Sequence, residues 1–379
     1  MKIYWITELE IKEKHKSSRF EMAEALRNRG HVVTLSIKNE IGEKKIKNEK
    51  INTFPVIPCP IISKLIFGII LLFYLPILFR NKKIDIILID GVDIWLPFLI
   101  PLKLFHIPLI LDIRSTTIQG SLDSILLNTN LFLSNYFVDG WTTITPELKN
   151  ILINKYRINQ EKIGIWTSGV SIKNFTNKSN IDSIILKDEK SNFFIVMYHG
   201  SYSPYRGIEN VIKSLKNLDF KLRKKIKIIF VGFKIKEIEK LSIFCNQLGL
   251  NEHVRFVPQV SYEKMPSYIS ACDIGIIPLP PENEWCWESS PLKTLEYLAM
   301  CKPIIATNIP FHQQIFDKGN CGIIVKNSEP ESIAPAIIYL YNNRDKLDEL
   351  GRTGREIVEK YYTWDKKALE FEKFINTIL

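Results

Sequence analysis

Short apolar runs recur through both halves of this chain, each followed by turn residues or a segment of helical periodicity. That pattern restricts the chain to folds built on parallel sheets with helices on both faces, an α/β class. In the first half, Ile3 to Ile6, Val32 to Ile37, Ile84 to Ile89, Leu109 to Ile113 and Gly140 to Ile144 read as buried strands. Phe194 to Tyr198, Ile226 to Val231, Val254 to Val257, Ile274 to Pro278 and Ile304 to Ala306 repeat the theme in the second. A helix is predicted from Ser18 to Gly30, with Phe20, Met22, Ala23 and Leu26 on its apolar face and Gly30 at its end. Between the halves, FTNKSNIDSIILKDEKSN is polar where its flanks are apolar, and it is the predicted linker, 175–192. With 379 residues, 46% of them hydrophobic, two ordinary cores can be buried, one in 1–174 and one in 193–361. No repeat at solenoid spacing is present.

The formal charge of +10 gathers in GEKKIKNEK, RNKK and KLRKKIK. Each cluster alone reads as solvated surface. Together they favour anionic headgroups or a nucleotide diphosphate as partner. A basic stripe interleaved with aromatics is missing, which argues against nucleic acid. Cysteines at 59, 245, 272, 286, 301 and 321 form no CxxC pair and no Cys/His spacing suited to zinc, and fit a reducing compartment. The N-terminus runs from Met1 into the strand-like KIYWIT without a secretory leader pattern, so a cytoplasmic protein is expected. LIFGIILLFYLPILF carries no charge over fifteen residues, is interrupted by Pro76, and is flanked by Lys64, Arg80, Lys82 and Lys83. It is short of the roughly 20 residues that cross a bilayer. Two readings stand: a helix buried in the first domain, or an element sunk into one leaflet, giving peripheral attachment at the inner membrane face.

In ESSPLKTLEYLAMCKPII, Glu288 and Glu296 lie eight positions apart across the start of a predicted helix. Ser290 suits the N-cap, Pro291 the first helical position, and Leu292 to Met300 the helix. Glu296 then lies roughly 7 to 8 Å along the axis from Pro291, a separation that suits opposite ends of one nucleotide-sugar. The first amides of the helix, those of Leu292 and Lys293, with the positive dipole end, form a seat for a phosphate.

This stretch resembles the Glu-x7-Glu motif of glycosyltransferase family 4. YHGSYSPYRGIENVI, VRFVPQVSYEKMPSYISACDIGIIPL, KPIIATN and, more weakly, WTTITPELKNILINKYRINQEKIGIWTSGVSIKNF extend the likeness over most of residues 138 to 365. The resemblance implies the GT-B fold, two Rossmann-like domains facing each other across a cleft, with a C-terminal helix, 362–379, crossing back to the first; Trp364, Leu369, Phe371, Phe374 and Ile375 lie at roughly helical spacing there. It also implies a retaining, metal-independent enzyme that uses no cofactor. Such an enzyme moves a sugar from a nucleoside-diphosphate-sugar donor to a glycan acceptor, lipid-linked here, in cell-surface polysaccharide or glycoconjugate biosynthesis. Donor binding falls by resemblance on Gly200, Ser201, Arg206, Leu292, Lys293 and Glu296, with Glu296 on ribose and Arg206 and Lys293 on the diphosphate. Glu288 takes the catalytic place beside the donor sugar, where a carboxylate stabilises an oxocarbenium-like transition state. Backbone near Phe256 to Pro258 would select the nucleoside.

Four departures from the family pattern matter. Ser201 stands where an arginine is common, so Lys293 is expected to compensate. Cys301 replaces a helix-ending glycine, and a left-handed residue there would cost roughly 1 kcal/mol, so the helix is expected to end differently. TELEIKEKHKSSRFEM lacks the usual glycine pair after the first strand. Arg114 stands where some members carry a histidine; it would bind an acceptor phosphate or form an ion pair with Asp112 or Asp123. Of the six histidines, His199 is the one expected near the site. The competing functions are a nucleotide-sugar epimerase of similar architecture and a non-catalytic lipid-surface protein; no GxGxxG follows a predicted strand, which sets a dinucleotide oxidoreductase aside.

Overall fold

The computed structural model describes residues 1–10, 18–40, 51–56, 60–81, 83–90, 96–116, 121–176 and 187–379. The chain forms two compact units. The first is Met1–Ser168 with Glu288–Ser290 and Trp364–Leu379, and the second is Gly169–Trp287 with Pro291–Thr363.

The first unit holds strands β1 (Lys2–Glu10), β2 (Val32–Glu40), β3 (Ile51–Val56), β4 (Ile86–Asp90), β5 (Leu109–Ile113), β6 (Gly140–Thr143) and β7 (Ile163–Ile165). They pair in parallel in the order β3-β2-β1-β4-β5-β6-β7. Every residue of β4, β5 and β6 is buried, as expected of central parallel strands covered on both faces. One face is covered by α2 (Pro60–Asn81), the 3-10 segment Leu96–Phe105, α3 (Ser121–Phe137) and α4 (Pro146–Tyr156), which pack Phe67, Leu71, Leu75, Leu127, Leu131, Leu148 and Leu152 against Ile87, Ile89, Leu109 and Leu111. The helix α1 (Ser18–Asn28) and the terminal helix Trp364–Ile375 pack on each other. Glu372 of the terminal helix accepts from Arg29 at 2.5 Å and meets His31 at 2.6 Å, while Phe374 lies so close over Gly164 that a Cβ there would collide with its ring.

The second unit holds β8 (Phe194–His199), β9 (Ile226–Phe233), β10 (Val254–Pro258), β11 (Ile274–Ile277), β12 (Ile304–Thr307) and β13 (Gly322–Val325), parallel in the order β10-β9-β8-β11-β12-β13. Alternation along β8 divides its layers. Phe194, Val196 and Tyr198 join one apolar cluster, and Ile195 and Met197 the other.

The ten strands expected from the sequence are all present. The three unforeseen ones, β3, β7 and β13, are sheet edges, where a strand needs one ladder and half the apolar cover, so its sequence signal is weak. α2 departs further from expectation. Its 22 residues run straight through Pro76, and the apolar run is neither wholly buried nor wholly exposed: Leu71 and Leu75 face the sheet while Phe73 and Ile77 face outward. The predicted linker is in part outside the described residues, at 177–186, and its end, Lys187–Asn192, is a short helix. Residues 11–17 of the first loop, 42–50 of the basic clusters, Cys59 and Lys82 also lie outside them.

Candidate functional site

The motif helix begins one residue later than expected. Pro291 is its N-cap with extended backbone (ψ 114°) and no side-chain cap, and Leu292–Ala299 is helical. Ser290 is not the cap: its hydroxyl accepts from the Ser168 amide at 3.1 Å, and its carbonyl accepts from the Ser168 hydroxyl at 2.6 Å. The helix ends at Cys301 in the left-handed conformation itself (φ 55°), with the Lys302 amide donating to the Tyr297 carbonyl at 2.9 Å. The expected escape from that strained conformation does not occur. Every residue from Lys293 to Ala299 is buried, so tertiary packing holds the cap geometry in place of a glycine.

Within the second unit, the turn after β8 and the start of this helix share one cluster. Gly200 takes φ 120°, and a Cβ there would stand 3.1 Å from the Lys293 Nζ; glycine leaves that space to the ammonium. Lys293, buried, donates to the Tyr198 hydroxyl at 2.8 Å and lies 4.1 Å from the centre of its ring. The Tyr198 hydroxyl donates onward to the carbonyl of the exposed Ser201 at 3.1 Å. Arg206, in the 3-10 turn Pro204–Arg206, lies over the Trp285 ring at 5.7 Å and acts on the same hydroxyl. Among the described residues, Lys293 and Arg206 have no ion pair with a carboxylate. Burial pushes the Lys293 ammonium below its ordinary value, and the Arg206 charge adds to that, against the charge and hydrogen bond of Tyr198 and the more distant charge of Glu296. Burial would raise the Tyr198 hydroxyl, but the charges of Lys293 and Arg206 outweigh it and leave the group below its ordinary value.

Glu296, three residues on from Lys293, is buried, accepts from the Tyr262 hydroxyl at 2.9 Å and lies 3.3 Å from the His199 Nε2. Burial, then the Lys293 charge, depresses His199 to about 3, so at neutral pH the imidazole is uncharged and this contact is not an ion pair. His312, which the sequence did not single out, sits under the same helix: its Nδ1 meets the Thr307 carbonyl at 2.7 Å and its Nε2 the Thr294 hydroxyl at 3.1 Å, and burial depresses it to about 4. With Nδ1–H donating to the carbonyl, Nε2 is the acceptor. Phe256 stacks on Phe230 at 5.4 Å, and Pro258 is exposed at the end of β10.

Glu288 belongs to the first unit. Both its oxygens are engaged there: Oε2 accepts from the Ser115 hydroxyl at 3.0 Å and the Thr116 amide at 2.6 Å, and Oε1 from the Thr116 hydroxyl at 2.5 Å. Arg114, next to these residues, is engaged through two of its three nitrogens, its buried Nη2 having no hydrogen-bond partner among the described residues. Its Nε donates to Asp112 at 2.6 Å, its Nη1 to the Trp166 carbonyl at 3.4 Å, and its plane lies 3.1 Å from the centre of the Trp166 ring. Of the two alternatives for this residue, the geometry shows the Asp112 ion pair. Burial lowers the guanidinium to about 10, with the Asp112 charge opposing, so it stays charged at neutral pH. Asp112 also accepts from Thr142 at 2.6 Å and Trp166 at 3.1 Å, and the neighbouring Asp90 accepts from Trp5 and Arg19, each at 3.1 Å.

The structure therefore brings Gly200, Ser201, Arg206, Lys293 and Glu296 together in one unit, and assigns Glu288 and Arg114 to the other. The sequence missed Tyr198 and Tyr262. Tyr198 had one legible signal, its place two residues before the glycine that ends a buried strand; Tyr262 had none, because it lies 34 residues from Glu296 and meets it through folding alone.

The family model for glycosyl transferases group 1 matches residues 177–357, and the model for glycosyltransferase family 4 matches residues 19–174. The chain is 26% identical over 257 residues to an uncharacterized glycosyltransferase of Methanocaldococcus jannaschii, covering 68% of this chain and 66% of that one. It is 24% identical to a D-inositol 3-phosphate glycosyltransferase of Paenarthrobacter aurescens over 62% of this chain and 56% of that protein. Among solved structures, Anabaena HepE in complex with UDP aligns over 100% of both chains with a TM-score of 0.78 at 15% identity. Sucrose-phosphate synthase from Thermosynechococcus elongatus aligns over 100% of this chain and 99% of its own with the same TM-score at 16% identity. The two-sheet fold is thus that of the GT-B glycosyltransferases.

Proposed function

For a chain that belongs to the family-4 glycosyltransferases, as this one does, we propose a retaining, metal-independent transfer of a sugar from a nucleoside-diphosphate-sugar to a glycan acceptor that is lipid-linked. The observation that carries the donor class is the buried Lys293 ammonium without a carboxylate partner, beside Arg206 and the first amides of the motif helix. Glu296 acts on that ammonium only through space and does not offset burial and the Arg206 charge; two cations facing one carboxylate form a site that a further anion completes. A diphosphate is that anion. The nearby carboxylate, Glu296, is oriented by Tyr262 and suits two ribose hydroxyls. UDP and UDP-glucose, each present in a solved structure of the Anabaena neighbour, belong to the same ligand class.

Departure of the nucleoside diphosphate builds negative charge on the bridging oxygen, and Lys293, Arg206 and the helix amides answer it. Glu288 keeps the place that the family resemblance gives it, beside the donor sugar, its orientation set by Ser115 and Thr116. Arg114 orders the strand ends around Asp112 through its Nε, and its buried Nη2 has no hydrogen-bond partner among the described residues. Retention follows from front-face substitution, the leaving phosphate taking the acceptor proton. The setting is the cytoplasmic membrane face, in cell-surface polysaccharide or glycoconjugate synthesis.

Thermal unfolding of the chain with UDP, GDP and ADP, in excess chelator, tests the donor class. A nucleoside diphosphate at about 100 times its Kd stabilises the fold by about 2.7 kcal/mol, and Lys293→Met abolishes the shift. No shift with any of the three would overturn the reading. Isomerisation of a nucleotide-sugar with no acceptor present would replace it with an epimerase.

A further inference from the structure

We propose that the outward face formed by α2, the 3-10 segment Leu96–Phe105 and α3 is a docking surface for a bilayer carrying anionic phospholipid. The proposal rests on the lipid-linked acceptor reading for its purpose, and on the geometry of the first unit for its substance. All three elements pack on the same face of the first sheet, so the sides turned away from the sheet form one layer. On α2, Phe67, Leu71 and Leu75 are buried, and the positions two residues on, Ile69, Phe73 and Ile77, point the opposite way. α3 behaves alike, with Leu127 and Leu131 buried and Ile125, Phe132 and Tyr136 outward. Leu104 adds the 3-10 segment. These seven side chains are between 45% and 79% exposed, a grouping that a water-facing surface seldom carries without a partner.

Charge selects the bilayer over a protein partner. Residues 66–80 of α2 and 124–137 of α3 contain no acidic residue. The stripe of Ile69, Phe73 and Ile77 continues one turn on into the exposed Arg80, with exposed Lys83 just beyond. An apolar face bordered by cations, on a chain of formal charge +10, matches acyl chains below and anionic headgroups at the rim. Among the described residues no helix is long and apolar enough to cross a membrane. With one stripe packed on the sheet, α2, about 33 Å long at 1.5 Å per residue, offers lipid only its outer side. Its inner stripe, fixed in the sheet cover, is not available to lipid.

Co-sedimentation of the full chain with phosphatidylcholine vesicles, and with vesicles of phosphatidylcholine mixed with phosphatidylglycerol, tests this. Wild type is expected to partition onto the mixed vesicles more strongly than onto the neutral ones. Phe73→Ser, Ile77→Ser and Phe132→Ser combined are expected to lower partitioning onto both by about tenfold or more. Arg80→Glu with Lys83→Glu is expected to lower it on the mixed vesicles alone, by about fivefold or more. Because all five positions are exposed, each variant is expected to keep the wild-type melting temperature and its shift with UDP, which separates failure of docking from failure of the donor reading. The proposal is overturned if wild type stays in the supernatant with both vesicles, if the triple variant still sediments like wild type, or if the triple variant instead converts a dimer in solution to a monomer, which would give the face to a second copy of the chain.

Discussion

The two units end their central strands in buried charge, but they balance it differently. In the first, the buried carboxylates have their cations: Asp90 pairs with the half-buried Arg19 and Asp112 with Arg114, and tryptophan and threonine donors fill further acceptor positions. In the second, Lys293 is buried on a tyrosine, with Arg206 near it, and among the described residues neither meets a carboxylate in an ion pair. The first pattern is self-sufficient and serves the fold. The second, on the reading proposed above, is completed by the anion of a ligand. Perturbed groups concentrate accordingly, Tyr198, His199 and Lys293 being neighbours of a single space.

Exchanging each buried cation for methionine gives the largest contrast. Arg114→Met strands Asp112 and is expected to lower unfolding stability by about 3 to 5 kcal/mol in urea melts. Lys293→Met removes a cation with no carboxylate partner, so its stability is expected to equal or exceed wild type while donor turnover falls by about a hundredfold or more, read as kcat/KM. If Lys293→Met unfolds as easily as Arg114→Met, the distinction between the units is lost.

The next effect is a pH dependence specific to the second unit. His199 and His312 are held below their ordinary value of 6.5, at about 3 and about 4, by burial first. Both are neutral in the fold and protonate more easily when unfolded. Their contribution to stability is therefore complete above pH 6.5 and is lost as pH falls towards 4 and 3. Each costs about 1.4 kcal/mol per pH unit inside that window. His199→Phe is expected to lower the slope in urea melts between pH 6 and 4.5 by about 1.4 kcal/mol per pH unit, and an unchanged slope would show that His199 is charged in the fold.

The smallest effect concerns the strained helix end. Cys301→Gly is expected to raise stability by about 1 kcal/mol, since glycine takes φ 55° without a Cβ penalty. A loss of stability would mean that the Cys301 side chain contributes more by packing than its backbone costs.

The central strands, the two-core plan and the approximate start of the motif helix were legible because each rests on local chemistry: runs of buried apolar residues, and a proline that admits a helix start. Leu109–Ile113 was foreseen to the residue for that reason. Edge strands such as β7 were not, because three residues with one ladder carry little pattern. The helix cap went wrong for a related reason. Composition ranks Ser290 above Pro291 as a cap, but long-range bonds to Ser168 claim the serine. Likewise the α2 run could be read as apolar but not as two-sided, since its period hides which stripe meets a sheet.

Residue order and side-chain type were enough to establish the class of fold and the family, and to nominate the cations and carboxylates of the candidate site. Folding in three dimensions settled which of those charges neutralise one another. Arg114 and Lys293 look equally available on paper. Asp112 reaches one through its own strand end, while the other is brought against Tyr198, 95 residues away, with no carboxylate in ion-pair contact among the described residues.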